Sequence, residues 1–281
     1  MIRLNGENVD IDSFPDGAIL MKPIFKEADC NHVEWRYEND REFLALIYLV
    51  KHIRHVCDRH SDIYLHMPYI PNARMDRVKD PEDVFTLKYF AELLNGLELD
   101  RVTVLDPHSS VSEALINNLV VETPEKYIHN VLNKLPIRMW EVDDFLSFNG
   151  GTKRKFSLTM FYPDEGAMKR YSGLVNLPYA FGIKKRNWET GKIEGLDVAG
   201  AVDQIAGKDI LIVDDICSRG GTFYHSAKKL KELGARDIYL YVSHCENTIL
   251  EGELLDGDLI KKVFTTDSIF TKSHEKVEVL R

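Results

Sequence analysis

The stretch Asp209-Ile210-Leu211-Ile212-Val213 is apolar without alternation after its first residue, and within ten residues the chain has passed two glycines into a helical pattern. A strand apolar on both sides must be covered on both sides, which is the condition of a parallel strand inside an α/β sheet. Parallel neighbours cannot be joined by a tight turn; each needs a crossover, usually a helix. One such segment therefore commits its surroundings to alternating strands and helices. The rest of the sequence meets that demand. Phe43, Leu44, Ile47, Tyr48, Val50 and Ile53 give residues 40–57 an apolar helical face. A strand is predicted over 63–67, a helix over 81–94 and a strand over 101–105. In the second half, strands are predicted at 156–161, 179–183, 209–213 and 237–242, with a helix over 166–175. Another begins near Thr222, carries Phe223, Ala227 and Leu230 on one stripe, and stops at Gly234.

At 281 residues this alternation fills two domains of roughly 130–150 residues. The predicted fold is α/β: two tandem domains with mainly parallel sheets, 1–140 and 141–281, with the boundary somewhere in 131–155. In open sheets of this kind ligands bind beyond the carboxyl ends of the strands. The polar residues that follow each strand are therefore the candidate site.

Composition removes several functions. A formal net charge of −9 argues against a general nucleic-acid binder, which needs excess Lys and Arg to displace phosphate counterions. No apolar run reaches the roughly 18–20 residues of a membrane-spanning helix. The first twelve residues lack the basic-then-apolar pattern of a secretion signal. The four cysteines, Cys30, Cys57, Cys217 and Cys245, lack metal-type spacing and read as reduced thiols, so the expected compartment is the cytoplasm.

The strand at 209–213 delivers two adjacent carboxylates, Asp214 and Asp215, to its exit. Gly220 and Gly221 can then present backbone N–H groups with no side chain in the way, and the helix that starts beside them adds partial positive charge. Ser218 and Thr222 offer hydroxyl donors. An ionised carboxylate only accepts, which suits the vicinal hydroxyls of a ribose. A phosphate cradle at one end and diol acceptors at the other describe a site for a 5-phosphorylated ribose. The acid pair, the small loop and Gly221-Thr222 resemble the phosphoribosyl-diphosphate motif shared by type I phosphoribosyltransferases and ribose-phosphate pyrophosphokinases.

Four more segments, in order along the chain, resemble the pyrophosphokinases specifically. Residues 72–77 (Asn-Ala-Arg-Met-Asp-Arg) stand where that family has an ARQD[RK] stretch. Asp106-Pro107-His108-Ser109 resembles its D-L-H-[AS]; residues 163–170 resemble PDAGGAKR; and Lys184-Lys185-Arg186 resembles the K-x-R of its catalytic loop. The resemblance implies two phosphoribosyltransferase-like (Rossmann-like) domains, the first supplying an ATP pocket that faces the sugar-phosphate cup of the second. It implies that ATP gives its β,γ-diphosphate to the anomeric hydroxyl of a 5-phosphorylated ribose and leaves as AMP, with Mg2+ as cofactor. By the same carry-over Phe14, Asp16, Arg74 and Asp76 bind ATP. His108 approaches the reacting phosphates and the metal, and Asp164 orients metal and ribose. Lys184 and Arg186 stabilise transition-state charge, and Asp214, Asp215, Ser218, Arg219, Gly220, Gly221 and Thr222 hold the ribose phosphate. A homo-oligomer, dimer or larger, is also implied, because Phe14 and Asp16 belong to a turn that reaches adenine in a neighbouring subunit.

Departures from the family pattern fall at Ala18, where an acid is usual, at Met75, where Gln is usual, and at Arg219, where a small residue precedes the glycine. The chain is also shorter at both ends than is usual for the family. Arg219 opens a second reading: a guanidinium in this loop can pair with a second phosphate in bidentate fashion, so the acceptor could carry a larger 5-substituent, ADP-ribose being the obvious case, with a place in NAD synthesis or salvage. A phosphoribosyltransferase would share the acid–loop motif but would not need the other segments. A non-catalytic homologue would explain the three departures but not the retained Lys184 and Arg186.

Overall fold

The computed structural model describes residues 1–24, 29–57, 61–136, 139–144, 151–186 and 193–281; at 139–144, 151–156, 184–186 and 193–194 it describes backbone alone. The chain forms two compact units, Met1–Thr123 and Pro124–Arg281. The division precedes the 140/141 position because helix α4 (Glu125–Lys134) buries Ile128 and Val131 among Tyr162, Leu211, Val213 and Tyr241 of the second unit.

The first unit starts with short strands β1 (Ile2–Leu4) and β2 (Glu7–Asn8) and a separate hairpin, β3 (Ile11–Ser13) with β4 (Ile19–Met21). There follow β5 (Cys30–Trp35), α1 (Asp40–Val56), β6 (Asp62–His66), α2 (Thr86–Asn95), β7 (Arg101–Leu105), α3 (Val111–Leu115) and β8 (Leu119–Glu122). The sheet order is β2-β1-β5-β6-β7-β8, with β5 to β8 parallel and β1 antiparallel to β5. Helix α1 forms over the predicted residues, with Asp40 and Glu42 at the positive end of the dipole. Its buried face, however, is Ala45, Leu46, Leu49, Val50 and Ile53, and Leu44 and Tyr48 of the predicted stripe are exposed. Helix α2 starts later than position 81. The Asp83 carboxylate accepts the N–H groups of Lys79 (2.9 Å) and Asp80 (3.1 Å) and folds the preceding residues into a turn.

One hydrophobic cluster serves this unit. Val33, Trp35, Ile63, Leu65, Val102 and Val104 point from the sheet to Leu46, Leu49, Ile53, Leu87, Phe90 and Leu94 of α1 and α2. The alternate residues of the same strands are polar and exposed or partly exposed: Arg3, His32, Glu34, Asp62, Tyr64 and Arg101.

The second unit continues after α4 with a two-stranded ribbon, β9 (Met139–Asp144) and β10 (Gly151–Phe156). Then come β11 (Leu158–Tyr162), α5 (Glu165–Tyr171), β12 (Tyr179–Arg186), β13 (Ile193–Gly200), β14 (Asp209–Cys217), α6 (Gly221–Glu232), β15 (Ile238–Cys245), β16 (Lys262–Thr266) and β17 (Val277–Leu280). The seven-stranded order is β13-β12-β11-β14-β15-β16-β17, parallel except for the edge pair β12–β13. Here both sheet faces are apolar. Ile210, Ile212, Leu240 and Val242 pack with Phe223, Ala227 and Leu230 of α6, while Leu211, Val213, Tyr239 and Tyr241 pack with α4 and α5. The doubly apolar run at 209–213 is thus placed as its composition demanded, next to both β11 and β15. Among the described residues no helix is long and apolar enough to cross a membrane.

Candidate functional site

Strand β14 does not stop at Val213. It runs on through both acids to Cys217, because Asp214, Ile216 and Cys217 keep their register with Val242, His244 and Cys245 of β15. Asp214 and Asp215 therefore lie inside the end of a strand covered on both faces. Asp215 is buried; Asp214 keeps some solvent contact, though protein surrounds most of it. Burial is the main force pushing the Asp214 carboxyl well above the usual range, and the charges of Asp215 and Asp164 push in the same direction. One opposing influence is the Asp215 N–H, which donates to Asp214 Oδ1 at 3.0 Å. Asp164 follows β11, the parallel neighbour of β14, and caps α5 by accepting from the Ala167 N–H at 3.1 Å. Three carboxylates from the ends of two adjacent strands thus share one electrostatic neighbourhood.

Past Cys217 the chain makes the small loop expected of it. Gly220 takes the left-handed conformation (φ 79°), where a side chain would be strained, and Gly221 opens α6. No side chain caps the first turn of this helix, whose first internal bond runs from Tyr224 N–H to the Gly220 carbonyl. Its leading N–H groups and the positive dipole end are what an anion needs. Arg219 turns away. Its Nη2 donates to Glu251 Oε2 at 3.0 Å, and 73% of its side chain is exposed. The guanidinium does not fill the cradle.

In the first unit, two of the predicted segments meet at the carboxyl ends of neighbouring strands. After β6 the chain reaches Asn72 (φ 65°) and turns, with Met75 N–H donating to the Asn72 carbonyl; Arg74, Met75 and Arg77 are exposed and Asp76 is buried. After β7 it passes Asp106 (φ 45°), whose N–H donates to the Glu122 carbonyl of β8, and reaches the exposed His108. Asp76 links the two segments. It accepts both Nε and Nη2 of Arg77, at 2.6 and 2.7 Å, and this pairing is the main reason its pKa falls to about 2. The nearby Ser109 hydroxyl and the charge of His108 lower it further, Ser109 from outside good hydrogen-bond geometry. The Phe14–Gly17 turn sits at the tip of the β3–β4 hairpin. Phe14 is half exposed, and Asp16 is occupied in accepting from the Ala18 N–H at 3.0 Å.

Lys184 and Arg186 stand at the end of β12, where the register with β13 shifts between Lys185 and Arg186; their side chains lie outside the described residues. Among the described residues no group of three or more His, Cys, Asp or Glu side chains is arranged to hold a metal alone. Sequence reasoning missed the residues behind the loop, Glu251, Gly252 and Leu254, which lie about 30 positions downstream and carry no local signal.

No family model matches the chain. A ribose-phosphate pyrophosphokinase of Bradyrhizobium diazoefficiens is 29% identical over 207 residues, covering 72% of this chain and 59% of the relative. One from Pyrococcus furiosus is 26% identical over 239 residues, covering 84% and 77%. Over most of its length the chain is similar to ribose-phosphate pyrophosphokinases. The crystal structure of phosphoribosylpyrophosphate synthetase from Mycobacterium smegmatis superposes with a TM-score of 0.71 over 97% of this chain and 85% of the other, at 18% identity. The α/β pyrophosphokinase fold is therefore shared across both units. The chain spans about three fifths of the length of several of the pyrophosphokinases it matches.

Proposed function

We propose that this chain transfers the β,γ-diphosphate of ATP to the anomeric hydroxyl of a 5-phosphorylated ribose and releases AMP. The observation that carries this reading is the end of β14: the buried Asp215 beside the partly covered Asp214, followed by a glycine loop and an uncapped helix N-terminus. In this reading the 5-phosphate sits on Gly220, Gly221 and Thr222, with Ser218 adding a hydroxyl. Asp214 and Asp215 accept the ribose hydroxyls. Arg74 pairs with the ATP phosphates, and Asp76 positions His108 beside them through its contacts with both segments. Lys184 and Arg186 stabilise charge that develops on the transferred phosphates. A half-exposed Phe14 at a hairpin tip suits adenine bound by a second copy, which makes a homo-oligomer part of the proposal.

Magnesium fits the donor set. It is commonly held by one or two carboxylates together with substrate phosphates rather than by a complete protein cage. Asp164 and the neighbouring acid pair offer oxygen ligands whose mutual repulsion a cation would relieve. When bound, it would offset charge on the phosphate oxygens.

A second reading has its own observation. Because Arg219 stands outside the cradle and is exposed, the loop can accept a single phosphate while leaving a guanidinium for a second one. ADP-ribose is an acceptor of that kind. Mass spectrometry of the products after ATP and magnesium are mixed with ribose 5-phosphate or ADP-ribose tests both. AMP with a diphosphorylated acceptor is expected. Absence of AMP with every acceptor defeats the reaction, and AMP with ribose 5-phosphate alone removes the second reading.

A further inference from the structure

The loop between β14 and α6 is braced from behind by the segment that follows β15, through three successive contacts. At Gly252 the backbone lies so close to the loop that a β-carbon would stand 1.9 Å from the Arg219 carbonyl oxygen. At Gly220 a β-carbon would meet the Leu254 side chain at 2.7 Å. Just before these two contacts in the chain, the Glu251 carboxylate takes the Arg219 guanidinium at 3.0 Å. Two of the contacts fix the main chain. The third fixes only a side chain, and does so weakly, since both partners are mostly exposed (73% and 58%).

We infer that Glu251 sets the acceptor selectivity of the loop by holding Arg219 off the cradle until a second phosphate on the acceptor's 5-substituent displaces it. This rests on the proposed reading of the loop as the sugar-phosphate site. An exposed carboxylate–guanidinium pair shifts an equilibrium by about fivefold at most. A phosphate offers the same guanidinium a bidentate pair with more charge. The exchange therefore favours an acceptor with two phosphates, and the brace lets it proceed by rotation of one side chain without moving Gly220 or Gly221. An acceptor with one phosphate has nothing with which to displace Glu251. Glu251 is in this sense a positioning residue: it touches no substrate and acts through Arg219.

The test is calorimetric binding of ribose 5-phosphate and of ADP-ribose to the full chain at about 0.15 M salt, with magnesium and a non-hydrolysable ATP analogue present. Wild type, Glu251→Gln, Arg219→Ala and the double variant are compared. Glu251→Gln is expected to tighten ADP-ribose about two- to fivefold, the equivalent of losing one exposed ion pair, and to shift ribose 5-phosphate less than twofold. In the Arg219→Ala background the Glu251→Gln effect is expected to vanish. A gain of equal size for both acceptors, or one that survives Arg219→Ala, would show Glu251 acting as a diffuse negative charge and would overturn the inference. So would a chain that binds neither acceptor, which would remove the underlying reading as well. The expected pattern without any AMP formation in a separate assay would leave this inference standing and remove only the reaction.

Discussion

The two units use the same strand–helix alternation and reach opposite solutions for their sheets. In the second unit, alternate residues of β14 and β15 feed two separate clusters, one under α6 and one under α4 and α5. In the first unit, α1 and α2 serve a single cluster, and the other face of the sheet carries charged and aromatic side chains. Parallel sheets are rarely left open. This one stays open, and its polar side chains pair with one another. Arg3 and Glu34 are cross-strand partners 3.6 Å apart, and Arg36 adds a second bond to Glu34 at 2.8 Å. His32, Tyr64 and Arg101 are successive partners across β5, β6 and β7. The His32 ring meets Tyr64 edge-on at 5.5 Å, the Arg101 guanidinium lies 4.9 Å above the Tyr64 ring, and Tyr64 donates to Asp62 at 2.9 Å. The lesson concerns how each unit can perturb its acids. A doubly covered sheet desolvates Asp214 at the end of a strand and pushes its pKa up. In the first unit Asp76 sits in a loop beyond the strands, and its paired arginine pulls its pKa down.

The largest effects should come from breaking the covered faces. Leu240→Ala and Leu211→Ala each empty one side of the second sheet and should each cost about 2–5 kcal/mol in denaturant unfolding. Leu65→Ala should cost as much in the first unit. Tyr64→Ala, one residue away on the open face, should cost about 1 kcal/mol or less. Equal losses for Leu65→Ala and Tyr64→Ala would mean that the polar face is covered after all, and the contrast between the units would fall.

Asp214→Asn probes the other half of the comparison. The folded-state pKa of Asp214 is raised, so its contribution is present in full below the unfolded value near 3.9 and is lost as pH rises through the raised value. At neutral pH the wild type therefore carries a poorly solvated carboxyl that Asn does not. In magnesium-free buffer the variant should melt about 2–4 °C higher at pH 7, with the gain shrinking in acid, while acceptor affinity falls because one ribose acceptor is gone. A variant that melts lower at pH 7 would show that the acid is well satisfied where it lies.

Much of this was legible in the sequence, and the omissions have physical causes. The run at 209–213 announced a strand covered on both faces because four apolar residues in succession leave no polar face for solvent. Its true end at Cys217 was hidden, since two adjacent acids read as an exit rather than as strand; cross-strand pairing to Val242 and His244 overrides that local preference. Pro81 suggested a helix start, but the Asp83 carboxylate captured the preceding backbone first. Arg219 was visible as an anomaly in the phosphate loop. Its direction was not, because Glu251 and Gly252 are distant in sequence and carry no motif of their own. The Asp76–Arg77 pairing and the approach of His108 and Ser109 likewise depend on the parallel adjacency of β6 and β7.

Acid sharpens the comparison on a smaller scale. Asp76, held near pKa 2 against an ordinary 3.8, contributes stability that is present above the unfolded value and lost as pH falls through the folded one. Between about pH 4 and 2 the link between its segment and His108 should loosen. Asp76→Asn should abolish that dependence while leaving the melting temperature at pH 7 lower by a few degrees at most, because its Arg77 partner is exposed. Carboxyl NMR titration reads this directly, and an Asp76 midpoint near 3.8 would remove the pairing as an organising contact.

The smallest perturbation is purely chemical. The thiols of the first unit, Cys30 and Cys57, are partly exposed, whereas Cys217 and Cys245 of the second are buried as register partners at the ends of β14 and β15. The neighbouring Cys245 thiol is the main influence raising the Cys217 thiol, and burial adds to it. A thiol reacts as its thiolate, so exposure favours the first pair, and the raised pKa of Cys217 holds that thiol back further. Titration of the native protein with an aromatic disulfide at pH 8 should consume two thiols quickly and two only as the protein unfolds. Ribose 5-phosphate should slow the second phase further, since any ligand that binds the folded state stabilises it. Four thiols reacting at one rate would mean that the end of β14 opens as freely as the surface of the first unit. The doubly covered sheet would then not be the rigid support that the phosphate loop requires.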